Sequence, residues 1–246
     1  MFKCELSDTN IITSAFESIH LIVDEVQIQV DSDGLRLKAL SRAKITFVNL
    51  ELQSSVFDTY ECDTPQSINI DTNEFMKVLK RCKTNDLMVI SLTNDYNLKI
   101  EFKSNYSDRV FKIRLIDLEY DTPPSPNIPY NNQGVVLPVK VLKDVISDIN
   151  IFSDRVKFEI KDDKLHIFEK GSFGECDTEY LIDEDINDTG VSGFSIEKVN
   201  ELLKAEKFSN LCTLCLGEDV PLTLTYELVT GEGLLSFLLA PRLNEE

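Results

Sequence analysis

The sequence predicts an α+β protein of two similar domains, each built from two βαβββ repeats. Three observations carry this: an internal repeat, four amphipathic segments each led by a short strand and followed by alternating ones, and a proline-rich break at mid-chain. Shifting residues 22–37 by 130 positions lays Asp24, Val26, Ile28, Val30, Asp33, Leu35 and Leu37 on Asp154, Val156, Phe158, Ile160, Asp163, Leu165 and Ile167. Apolar meets apolar at every inward position. A second offset, of 124, lays Phe75, Leu79, Lys80, Lys83, Leu87, Leu98, Ile100 and Phe102 on Val199, Leu203, Lys204, Lys207, Leu211, Leu222, Leu224 and Tyr226. Conservation of buried positions between halves means two copies of one fold, and recurrence of surface lysines points to a surface used in a repeated way. A chain of 246 residues holds two such domains comfortably.

The first repeat opens with a strand at Phe2 and a helix over 9–20, where Ile12, Ala15, Phe16 and Ile19 fall on one face. Strands over 25–31, 35–40 and 44–52 follow, the first two joined by the hairpin chemistry of Asp31-Ser32-Asp33-Gly34. The second repeat opens at 67–70, places a helix over 72–83 on the apolar stripe Phe75, Val78, Leu79 and Cys82, and ends in an alternating strand over 110–116. Residues 121–133 hold four of the eight prolines, a density that excludes helix and sheet pairing. The division is therefore a first domain over 1–118, a connecting segment over 119–133 and a second domain over 134–246. Ile128 and Tyr130 are more apolar than a spacer requires, so the segment is expected to pack on something. The third and fourth repeats start at Val135 and Gly193, with helices over 139–150 on Leu142, Val145, Ile146 and Ile149, and over 196–207 on Val199, Leu202 and Leu203.

Charge narrows the function. With 43 acidic against 25 basic side chains, net −18, the surface as a whole repels nucleic acid and anionic membranes, so a polyanion partner must meet a local exception. Lysine and arginine concentrate on the outer faces of the helices: Lys77, Lys80 and Arg81 with Lys83 at the flank, then Lys140 and Lys143, then Lys198, Lys204 and Lys207. Acidic neighbours accompany the last two groups, as on any solvated amphipathic helix. If all four helices cover one face of a continuous sheet, these cations share one wall that matches the phosphates of a duplex without reading any base.

Other chemistry finds little support. Cys212 and Cys215 have zinc-ligand spacing but sit in a strand with no second pair, and the six scattered cysteines read as buried reduced thiols. His20 and His166 belong to no nucleophile motif, Asp31–Gly34 has its glycine too early for a calcium loop, and the glycines at 171 and 174 lack the following lysine of a phosphate loop. No catalytic residue, metal or cofactor is expected. With no apolar run near the ~20 residues of a membrane span and no signal-like N-terminus, a soluble, unexported protein is expected, cytoplasmic and nucleoid-associated in an archaeon or nuclear in a eukaryote.

Asp24-Glu25-Val26 through Asp33-Gly34-Leu35, Phe57-Asp58-Thr59-Tyr60 and the terminal Leu238-Leu239-Ala240-Pro241-Arg242-Leu243 resemble the sliding clamps of the proliferating cell nuclear antigen family, in its archaeal branch. The resemblance covers essentially the whole chain. It implies a ring of three subunits, helices lining the channel and sheets outside, that encircles double-stranded DNA as a processivity factor. DNA polymerase, flap endonuclease, DNA ligase and the clamp loader would dock through short client peptides. Lys77 and Lys80 match family lysines that face the channel, whereas Thr13, Ser14 and His20 of the first helix stand at positions often basic, and no DNA role is assigned to that helix. The client pocket implied by the family comprises Leu40, Ile45, Phe47, Ile128, Pro129, Pro221, Leu238, Ala240, Pro241 and Leu243.

Subunit contact is expected edge to edge. Val110, Lys112, Ile113, Arg114 and Ile116 of the strand ending the first domain would meet Thr178, Tyr180 and Ile182 of a neighbour. Threefold closure is implied by the resemblance alone. The competing readings are a checkpoint-type clamp, a non-DNA scaffold or a small acidic enzyme on the same repeat.

Overall fold

Alternation builds the first strand, β1 (Phe2–Leu6), which buries Phe2, Cys4 and Leu6. Helix α1 (Asn10–Ile22) follows, burying Ile12, Ala15, Phe16 and Ile19. The computed structural model describes residues 1–93, 95–119, 121–130, 134–182 and 186–242. It sorts into two units, one of Met1–Pro124 with Glu227–Leu235 and one of Ser125–Tyr226 with Ser236–Glu246. The segment Glu227–Leu235, placed by the sequence in the second domain, thus belongs to the first unit. The reason is local: the Gln53 N–H donates to the Glu232 carbonyl at 2.9 Å.

In the first unit, β2 (Glu25–Asp31), β3 (Gly34–Leu40) and β4 (Thr46–Gln53) form a meander. Strands β5 (Thr59–Cys62) and β6 (Gln66–Asp71), helix α2 (Thr72–Leu79), and strands β7 (Leu87–Leu92), β8 (Asn97–Lys103) and β9 (Asp108–Arg114) complete it. One sheet has the order β5-β1-β7-β8-β9, and a second runs β4-β3-β2-β6. Phe2, Ile12, Ile28, Ile68, Phe75 and Ile90 line one small internal void, so both sheets and both helices share a single core. Phe16 of α1 and Phe75 of α2 meet edge to face at 4.7 Å, which sets the two helices side by side.

Turn chemistry differs between the repeats. In the first hairpin the Asp31 carboxylate accepts the N–H groups of Asp33 and Gly34, and Gly34 has φ +150°, where an added Cβ would lie 2.1 Å from the Leu52 oxygen. In the second unit the matching hairpin joins β11 (Arg155–Lys161) to β12 (Lys164–Lys170) through Asp162 and Asp163 at φ 50° and 58°. Those are the paired positive values of a tight hairpin turn.

The second unit opens with β10 (Val135–Pro138) and α3 (Val139–Ile149), which buries Leu142, Val145, Ile146 and Ile149. After β11 and β12 come β13 (Glu175–Leu181), β14 (Ser192–Ser195), α4 (Ile196–Leu202), β15 (Leu211–Cys215), β16 (Leu222–Glu227) and β17 (Gly233–Leu239). One sheet has the order β13-β12-β11-β14, and β10, β15 and β16 lie in sequence in another. No helix among the described residues is long and apolar enough to cross a membrane.

Several expectations need correction. The helix placed over 72–83 ends at Leu79, and the one over 196–207 continues beyond Leu202 only as the 3-10 turn Leu203–Lys207. Strand β9 stops at Arg114, and Ile116 leaves the edge with its N–H donated to the Asn69 carbonyl. Cys4 and Cys212 are buried, but Cys62, Cys82, Cys176 and Cys215 are only half-buried.

Candidate functional site

The cations divide by element and by partner. Helix α2 is capped by the Asp71 carboxylate, which accepts the Glu74 N–H at 2.8 Å, and it presents exposed Lys77 in its last turn. Lys80, Arg81 and Lys83, all exposed, lie on the tight turn that follows. Two residues unmarked by any sequence pattern hold that turn. The Asp86 carboxylate accepts the Lys83 N–H at 2.7 Å, and the Arg109 guanidinium donates to the Arg81 carbonyl at 2.6 Å and to Asp86. Arg109 also lies 5.2 Å over the Phe102 ring. Asp86 is 3% exposed, so its charge is acceptable only with these partners.

In the second unit, Lys140 of α3 and Lys204 and Lys207 of the 3-10 turn are exposed. Lys143 and Lys198 depart from the expectation of free cations: Lys143 Nζ lies 2.6 Å from Glu206, and Lys198 Nζ lies 2.7 Å from Glu201. The Lys143–Glu206 pair also ties α3 to the turn after α4. Lys77, Lys80, Arg81, Lys83, Lys140, Lys204 and Lys207 have no ion pair among the described residues. His20 Nδ1 lies 2.8 Å from the Phe16 carbonyl.

The apolar residues assigned to a client pocket fall in both units. In the first, Leu40 and Ile45 are exposed, and Leu40 lines a cleft of about 330 Å³ with Ile22, Asp24 and Arg42. Phe47 is buried although it stands opposite exposed Leu40 in the ladder and so shares its face of the sheet. In the second unit, Ile128 is half-buried and Pro129 exposed. Tyr130 holds this strap, its hydroxyl donating to the Pro221 carbonyl at 2.7 Å and touching the Thr223 hydroxyl. Burial pushes the Tyr130 phenol up to about 12. The aromatic among the prolines was the visible signal of this anchor. Pro221, Leu238, Ala240 and Pro241 are half-buried, and Arg242 is itself held, its N–H donating to the Gly193 carbonyl at 2.7 Å and its guanidinium to Asp154 at 3.0 Å. Leu243 lies outside the described residues.

Strand β9 in the first unit and strand β13 in the second each stand at the edge of a sheet. Val110, Lys112 and Arg114 are exposed on β9, whereas Ile113 is buried. Thr178 and Tyr180 of β13 are half-buried, and burial raises the Tyr180 phenol, with Asp144 and Asp148 of α3 adding to the rise. Ile182 lies beyond β13 and donates its N–H to the Asp163 carbonyl at 2.9 Å.

Residues 1–123 match the family model for the N-terminal domain of proliferating cell nuclear antigen. A protein of Methanothermobacter thermautotrophicus named DNA polymerase sliding clamp is 50% identical over 246 residues, covering 100% of both chains. Its namesake in Methanobrevibacter smithii is likewise 50% identical over 246 residues, and one in Thermococcus gammatolerans is 30% identical over 230 residues and 91% of each chain. The backbone resembles a solved structure of the C-terminal region of FEN-1 bound to A. fulgidus PCNA, with TM-score 0.90, 24% identity and 100% of both chains covered.

Proposed function

The chain belongs to the proliferating cell nuclear antigen family of DNA polymerase sliding clamps, and from that premise we propose how its own residues carry the work. It has the DNA clamp fold, and it is a DNA sliding clamp and not an enzyme. The proposed DNA contacts are the exposed cations on and beside α2, α3 and α4: Lys77, Lys80, Arg81, Lys83, Lys140, Lys204 and Lys207. The observation that carries this reading is their freedom from acidic partners among the described residues, in a chain whose net charge is −18. Lysine is a mobile point charge that accepts any phosphate position, which suits a protein that must hold the double helix and still move along it. Lys143 and Lys198 are spoken for by Glu206 and Glu201 and contribute less.

Client peptides are proposed to dock on the Tyr130-anchored strap of the second unit, at Ile128 and Pro129, with Pro221, Leu238, Ala240 and Pro241 as the apolar floor. Leu40 and Ile45 take the same role for the first unit. A preformed strap lowers the ordering cost of binding an extended or single-turn peptide. DNA polymerase, flap endonuclease, DNA ligase and the clamp loader are the proposed clients, in the cytoplasm beside the nucleoid. The FEN-1 segment on the matched A. fulgidus protein supports the second of these. Three copies are proposed to close a ring through β9 and β13.

Topology supplies the test. Loaded on a closed circular duplex, the protein should remain through a gel-filtration column, and cutting the circle once should release it. Equal retention on circle and cut DNA would overturn encirclement in favour of ordinary surface binding.

A further inference from the structure

The internal repeat gives one acid a cation in the second unit and leaves its counterpart in the first without one. Asp154 stands just before β11, and the Arg242 guanidinium donates to it through two N–H groups, both at 3.0 Å. Asp24 stands just before β2, 130 positions earlier, and the carbonyl of each acid accepts the first N–H of the next α-helix, Thr72 for Asp24 and Ile196 for Asp154. Strand registers agree as well: Gln27 lies opposite Asn69 as Lys157 lies opposite Gly193. The Ile116 N–H then donates to the Asn69 carbonyl, just as the Arg242 N–H donates to that of Gly193. Isoleucine thus stands in the first unit at the place the arginine holds in the second.

The consequence is an acid with room beside it. Asn73 donates to one Asp24 oxygen at 3.2 Å, and neither Asp24 nor Glu25 has an ion pair among the described residues. Both line the cleft of about 330 Å³ whose apolar walls are Ile22, Val23 and Leu40. In the second unit Phe152 takes the place of Ile22, and its ring packs against Gly174 and Phe173, filling space that the smaller side chain leaves open. Resting on the client-docking reading above, we infer that the first-unit cleft takes an arginine of the client peptide, its guanidinium on Asp24 and its methylene stem along Ile22 and Leu40. Arginine fits better than lysine, because its planar fork can meet the Asp24 and Glu25 carboxylates together.

The pair already formed in the second unit sets the size of the effect. The side chains of Arg242 and Asp154 are 45% and 81% exposed, and an ion pair so open to water shifts an equilibrium by only about threefold. Asp24 therefore ranks clients that the apolar surface already holds, and added salt weakens the ranking. Arg42 lines the same cleft and pairs with neither acid among the described residues, so the chain's own cation does not occupy the place. Its charge instead repels an arriving guanidinium.

Fluorescence anisotropy with synthetic peptides tests this. Each peptide carries an apolar-aromatic anchor in a serine-glycine background, with a single arginine moved through the flanking positions on either side. At one placement at least, the arginine peptide should bind the unaltered protein about threefold more tightly than a peptide with glutamine at the same position. Asp24→Asn should abolish that advantage, and Arg42→Gln should widen it. Asp24→Arg should reverse the preference, so that glutamate at that position binds better than arginine. If the glutamine peptides bind but no placement of arginine tightens binding, or if Asp24→Asn keeps the advantage, the arginine site is overturned and client docking stands. Absence of binding by every peptide overturns both.

Discussion

Asp86 has no place in any motif, yet it decides where the turn after α2 goes. Its carboxylate accepts the Lys83 N–H and faces Arg109, which in turn donates to the Arg81 carbonyl, so two residues of a basic turn are fixed through one buried acid. Replacing Asp86 with alanine strands the Arg109 cation beside Phe102 and frees the Lys83 N–H. The expected loss is about 3 kcal/mol, in the range for breaking one side of a buried pair. Urea unfolding monitored by circular dichroism would check it, and a change below about 0.5 kcal/mol, the scale of a surface substitution, would show that the pair carries no stability. Residues of the resembling motif turn out to be structural in the same way. Tyr60 donates to the Gly34 carbonyl at 2.7 Å, Asp58 accepts from the Ser7 N–H and hydroxyl, and Phe57 packs on the Tyr60 ring at 5.2 Å.

Element by element, periodicity located the helices because each buries a stripe at helical spacing, and it located the hairpins because Asp31-Ser32-Asp33-Gly34 satisfies its own backbone. Where the elements end was not legible, since the ends are set from far away in the chain. The sequence over 196–207 has no glycine or proline to stop a helix, but the buried Tyr226 hydroxyl donates to the Leu202 carbonyl at 3.1 Å, and the chain tightens into a 3-10 turn from Leu203. Arg109 and Asp86 do the same for the turn after Leu79. Which lysines stay free was equally hidden: Lys143 and Lys80 look alike in sequence, but only Lys143 meets a carboxylate, Glu206, 63 positions on. Their substitution should therefore separate. Lys80→Ala should lower the slope of log affinity for duplex DNA against log salt by about one, the loss of one phosphate contact. Lys143→Ala should leave the slope nearly unchanged. Fluorescence anisotropy across a salt series measures both, and equal slopes would mean that the Glu206 pair opens on DNA.

For the whole molecule, two electrostatic effects of opposite sign act at once. The net charge of −18 pushes the folded chain apart, because folding brings carboxylates nearer than they are in the unfolded ensemble. Screening relieves that repulsion, so raising salt from about 0.05 M to about 0.3 M, where the Debye length falls below about 10 Å, should raise the melting temperature. The same change should weaken hold on DNA, because exposed lysines bind phosphate through release of counterions, and added salt opposes that release. Thermal unfolding and DNA retention measured in one salt series should thus move in opposite directions. A protein whose acidic surface dominated its DNA encounter would behave otherwise: screening would lower the repulsion between two polyanions, and retention would rise with salt. Falling retention together with a rising melting point requires cations gathered where the duplex passes and acids gathered elsewhere. Retention that rises along with the melting point would remove the lysines of α2, α3 and the turn after α4 from any role in holding DNA.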